Sequence, residues 1–141
     1  MEASLANQKV TPVFNLLRAT YGLVPIVAGL DKFTNLLTNW EDYLNPTMAS
    51  LLPFSPATFM MIVGIIEIIA GLIVLARPII GGYIVMAWLA LIALTLLASG
   101  RYLDVAVRDL VMAIGAYSFV QIAKMALALR GEQTHPEVAF R

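Results

Sequence analysis

Residues 61–76 read MIVGIIEIIAGLIVLA. All but one of these side chains suit hydrocarbon, and the exception, Glu67, is a carboxylic acid near the centre. A bilayer crossing takes about 20 predominantly apolar residues. A charge inside one costs about 2.5–3.5 kcal/mol on insertion scales. The stretch therefore sets the fold class, and its acid requires a partner or a purpose.

The remainder of the 141-residue chain agrees with a membrane protein of a single domain. It is 60% hydrophobic and 13% charged, where soluble domains carry roughly 25% charged residues, and its mean hydropathy is +0.84. Formal net charge is zero, so there is no polybasic surface to attract nucleic acid. The absence of cysteine excludes disulfides, thiol redox chemistry and iron–sulfur ligation by this chain. The single histidine, His135, lies in the polar tail GEQTHPEVAFR, so no histidine is expected to ligate haem inside the membrane.

Four segments are long and apolar enough to span: about 12–30, 56–76, 79–99 and 105–129. Thr11-Pro12 and Ser55-Pro56 read as helix starts, a capping hydroxyl followed by proline at the first helical position. Pro78 falls just past the second span, and Pro25 inside the first should bend it. The links RP and GRYLD are short, which makes spans two, three and four antiparallel neighbours. Residues 31–55 form a longer loop whose leucines, Trp40 and Tyr43 suggest a short interfacial helix. Its Glu41, Asp42 and Asn45 are a weak metal-binding candidate beside the plainer reading of a solvated turn. Lys9, Arg77, Lys124, Arg130 and Arg141 gather at one end of the spans, against Lys32 and Arg101 at the other. The positive-inside rule then places both termini in the cytoplasm. Arg18 interrupts the first apolar run, so that run does not read as a cleavable signal peptide. The expected fold is an all-α, up-down, integral membrane four-helix bundle.

The charged residues inside the spans are the candidate site. Arg18 shares a helical face with Gly22, Pro25 and Gly29, and Glu67 shares one with Gly64 and Gly71, small-residue stripes that let helices approach closely. Counted from the expected span ends, Arg18 lies roughly 10 Å deep and Glu67 about 14 Å deep. The two are expected to pair, with Tyr21 and Tyr117 near them. Asp31, Lys32, Arg101, Asp104, Arg108 and Asp109 form a separate polar cluster at the outer side, with Asp104 and Arg108 spaced to pair along one face, and with the alternative that Arg108 reaches inward and Asp109 joins it. Buried ion pairs can serve packing alone. They can also hold the polar head of a lipophilic molecule such as a quinone, or relay protons through Glu67.

Arg18 followed by YGLVPIVAGLDKF (residues 21–33), GIIEIIAGLIVL (residues 64–75) and RDL (residues 108–110) resembles the DoxX-like family of small four-helix bacterial membrane proteins. The matching positions are Arg18, Tyr21, Gly22, Gly29, Leu30, Lys32, Gly64, Glu67, Gly71, Leu72, Arg108, Asp109 and Leu110, and the resemblance covers about 16–123. It implies a bacterial inner-membrane protein associated with redox enzymes, among them a thiosulfate:quinone oxidoreductase. Two functions follow as expectations. One is an accessory or structural subunit of a larger redox or respiratory membrane complex, without catalytic activity in this chain alone. The alternative is a quinone-binding subunit of a membrane oxidoreductase. Expected partners are other membrane subunits, the lipid bilayer and further copies of the chain. No cofactor is expected from this chain's own ligands beyond a candidate quinone and lipids.

Overall fold

The computed structural model describes residues 2–44 and 46–134. Asn45 and His135 lie outside them, and so do the readings that rest on those residues. Among the described residues the chain is helical, without strands. The elements are α1 (Glu2–Asp31), a 3₁₀ turn (Trp40–Tyr43), α2 (Pro46–Leu51), α3 (Pro56–Ala76), α4 (Pro78–Ser99) and α5 (Leu103–Thr134). Four of them, α1, α3, α4 and α5, are long and apolar enough to cross a membrane. The protein is a multi-pass membrane protein by this measure.

Local chemistry accounts for most of the boundaries. Ser55 caps α3 by accepting from the Thr58 amide at 3.2 Å, with Pro56 at the first helical position. Arg77 alone separates α3 from α4, and Pro78 opens α4 as well as closing α3. Gly100 ends α4 at φ +69, the left-handed conformation for which glycine carries no Cβ penalty. The start of α1 differs from expectation. The helix begins at Glu2 and runs through both Pro12 and Pro25. Thr11 does not act as a cap; its hydroxyl binds Asn7 Oδ1 at 2.7 Å, one turn back along an unbroken helix.

The long helices form a ring in the order α1, α3, α4, α5, with α1 and α4 on a diagonal. Helix α1 meets α3 through glycines. A β-carbon on Gly71 would run into the Gly22 carbonyl oxygen, and one on Gly29 into that of Gly64. The pairs 22/71 and 29/64 fix α1 and α3 as antiparallel. Phe14 stacks on Phe119 at 6.1 Å and Tyr21 reaches Met112, so α1 and α5 are antiparallel too. The interior divides along its length. Toward the termini it is apolar, built on Phe14, Val74, Val85, Ala116, Phe119 and Ala123. Toward the 31–55 loop it contains Asp31, Lys32, Glu67 and Asp109, all buried.

Candidate functional site

Glu67 stands in the inward stripe of α3, where the buried positions are Met60, Gly64, Glu67, Ala70, Gly71 and Val74. Its Oε2 lies 2.6 Å from Lys32 Nζ, with side-chain exposures of 10% and 5%. Its Oε1 accepts a hydrogen bond from Trp88 Nε1 at 3.3 Å. Three elements therefore converge on one carboxylate: the end of α1, the middle of α3 and the middle of α4. Helical side chains lean toward the N-terminus of their own helix. In antiparallel α1 and α3 this aims Lys32 inward from the loop end and Glu67 up toward it.

Lys32 sits just past α1, held by its amide to Ala28 O at 3.2 Å. Its ammonium lies 3.7 Å from the centre of the Trp40 ring, a cation–π contact that substitutes for lost water. The indole of Trp40 donates to Asp31 Oδ2 at 2.8 Å. Asp31 also accepts from the Leu36 and Leu37 amides and from the Thr34 hydroxyl. One carboxylate thus closes the turn after α1 and delivers Trp40 onto Lys32. Trp40 continues into an aromatic cluster, at 6.0 Å from Tyr43, which lies 4.5 Å from Tyr102 in the α4–α5 link.

Asp109 occupies the inward face of α5 between Ala106 and Ala113 and is 8% exposed. It lies within electrostatic reach of Glu67 and Lys32. Among the described residues its carboxyl makes no hydrogen bond or ion pair. An apolar groove of about 260 Å³ opens between α3 and α4 beside this network, lined by Ile66, Ala70, Ile84, Ala87, Trp88 and Leu91.

The expected Arg18–Glu67 pair does not form. Arg18 Nη2 donates to the carbonyl of Leu75, in the last turn of α3. Leu75 is eight residues from Glu67, roughly 12 Å along the helix. The depth count started from Pro12, whereas α1 begins at Glu2 and overshoots the α3–α4 turn. Arg18 consequently sits level with that turn, and its side chain leans away from Glu67. Tyr21 is separate from the network as well: its hydroxyl donates to Met112 O at 2.9 Å and its ring stacks on Phe119 at 5.8 Å. Tyr117 is 51% exposed on the outer surface of α5. The outer-side cluster splits in two. Lys32 and Asp109 turn inward toward Glu67 and Asp31 is buried in the turn after α1, while Arg108 and Asp104 form an exposed pair at 3.8 Å and Arg101 lies over Tyr102. Glu41 and Asp42 are exposed in the 3₁₀ turn. No group of three or more His, Cys, Asp or Glu placed to hold a metal occurs among the described residues.

The two tryptophans were not identified as site residues from sequence, and for Trp88 a signal existed. In an antiparallel hairpin with a turn at residues 77–78, positions equidistant from the turn face each other, and 67 and 88 are such a pair. Trp40 carried only its interfacial character.

The fold and site define a four-helix membrane protein with a buried Lys–Glu pair flanked by two half-buried tryptophans. No protein-family model, curated protein or solved structure matches the chain.

Proposed function

We propose that the protein is an accessory subunit of a larger bacterial membrane complex of the redox or respiratory class. In this reading it is an up-down bundle in the inner membrane with both termini cytoplasmic. The observation that carries it is the commitment of Lys32, Glu67 and Asp31 to internal contacts. Glu67 is held by Lys32 and Trp88, and Asp31 by its own loop. Such a network fixes which helices pack together and locks the first loop onto the bundle. The resemblance in Arg18, Glu67 and Arg108-Asp109 supplies the redox class. Gentle detergent extraction from native membranes tests it: co-purification of stoichiometric larger subunits is expected, and a discrete particle of this chain alone would overturn it.

A second reading, a quinone-binding subunit, is favoured by the groove beside Trp88. Its apolar walls and volume of about 260 Å³ suit a quinone ring. The Trp88 N–H contact to Glu67, at 3.3 Å, is long for a hydrogen bond, so that donor is the one most readily redirected to a quinone carbonyl. Asp109 is a carboxyl with no described hydrogen-bond partner close to the same charges. Purified protein should then carry quinone, and Trp88→Ala should lose it. Retention of quinone by a folded Trp88→Ala variant removes this reading.

A further inference from the structure

A second groove lies at the opposite end of the bundle from Glu67, where α3 turns into α4. It has a volume of about 490 Å³, and its lining includes Phe14, Arg18, Arg77, Ile79, Ile80 and Leu127. Among the described residues the wall is apolar except for two guanidinium groups and includes no aspartate or glutamate. Arg130 adds a third nearby guanidinium, 5.5 Å from the centre of the Phe14 ring, whose other neighbour is Arg18 at 5.9 Å.

We infer that this groove binds one anionic phospholipid, with its phosphate on Arg18 and Arg77 and the upper part of an acyl chain along Phe14, Ile79, Ile80 and Leu127. Charge complementarity selects the head group, because the described lining carries two arginines and no acid. Arginine matches phosphate with a planar array of donors. Arg18 has five donor hydrogens, and one engages Leu75 O, which leaves others for the ligand and keeps the guanidinium at the groove. Arg77 is exposed. Helix α4 starts beside it without a side-chain cap, so its first amides add favourable potential to a site already defined by the arginines. Position selects a lipid over a soluble anion. The groove opens at the single-residue link between two spans, where head groups meet hydrocarbon, and its apolar wall suits an acyl chain. Basic recesses between spanning helices recognise lipid head groups elsewhere by the same physics.

The test uses the full chain in neutral detergent, titrated with phosphatidylglycerol or phosphatidylcholine and read by native mass spectrometry and thermal shift. One phosphatidylglycerol is expected to bind in preference to phosphatidylcholine. Arg77→Gln should weaken it roughly fivefold, the equivalent of one surface charge, and Arg77→Glu should weaken it further. Ala76→Phe should also weaken binding by filling the groove without changing charge. Lys124→Gln, at the same end but outside the groove, should leave binding unchanged. Equal weakening by Lys124→Gln would mean unspecific attraction and overturn the assignment. So would unaltered binding in Ala76→Phe, lack of preference between the lipids, or displacement of the lipid by an equal concentration of inorganic phosphate.

Discussion

Lys32 Nζ and Glu67 Oε2 are separated by 35 positions in sequence and by 2.6 Å in space, and the Trp40 ring covers the ammonium from the other side. A bare ion pair at this depth gains little over two apolar side chains, because both partners have surrendered their water. Removing one partner is different, since it leaves the other charge buried alone. Lys32→Met should therefore destabilise the bundle by about 3–5 kcal/mol, aggravated by the approach of Asp109 to Glu67. The double variant Lys32→Met with Glu67→Met should recover most of that loss. Thermal unfolding in detergent of the single and double variants checks both statements.

The contrast between α3 and α1 shows where sequence was sufficient. Residues 56–76 were legible because Ser55, Pro56 and the apolar run give local signals that agree. The start of α1 was misread because Pro12 carries the same signal as Pro56 without the same role. Gly64 and Gly71 flank Glu67 on one helical face, a local sign that this face meets protein, and Glu67 is buried there. Its partner was not legible. Choosing Lys32 over Arg18 requires the axial register of α1 against α3, and that register is set by glycine contacts 49 and 35 positions apart (Gly22 against Gly71, Gly29 against Gly64). The separation of Asp31, Lys32 and Asp109 from Arg101, Asp104 and Arg108 follows from which side of each helix faces the bundle. For Asp109 the buried alanines at 106, 113 and 116 are the sequence trace of that side.

The glycine contacts that set this register should be intolerant of even one methyl group. Gly71→Ala places a carbon against the Gly22 carbonyl, which is backbone and cannot rotate aside. A loss of about 1–3 kcal/mol is expected from the forced separation of α1 and α3. Gly131→Ala is the matched control. Nothing lies within 4 Å of a β-carbon there, and a helical alanine is better than glycine by about 0.5–1 kcal/mol. Opposite signs of the two shifts in unfolding temperature are the expected result.

Trp40 joins two interactions that substitutions can separate. Trp40→Phe keeps an aromatic face for Lys32 but removes the N–H that binds Asp31. A loss of stability is expected, since hydrogen bonds to charged groups contribute more than neutral ones. Trp40→Ala removes both and should also release the turn that Asp31 organises. Amides of Leu36 and Leu37, each bonded to Asp31, should lose hydrogen-exchange protection in Trp40→Ala more than in Trp40→Phe. Protection in both variants equal to that of the unaltered protein would show that Asp31 holds the turn without the indole.

Double-variant cycles distinguish the observed partner of Glu67 from the one expected by depth alone. Lys32 and Glu67 are in contact, so Lys32→Met and Glu67→Gln should couple by at least about 1 kcal/mol, as neighbours in one network do. Arg18 acts on another part of α3. It supplies a donor to the Leu75 carbonyl, which lies in the last turn of the helix, where carbonyls lack the regular intrahelical donor. Arg18→Met should destabilise by about 1–2 kcal/mol through that lost charged hydrogen bond. Its effect should add to that of Glu67→Gln within roughly 0.5 kcal/mol, because Leu75 and Glu67 are more than 10 Å apart along the helix. A coupling between Arg18 and Glu67 as large as that for Lys32 would mean that the arginine reaches the carboxylate after all, and the division of the interior into an apolar and a polar half would fail with it.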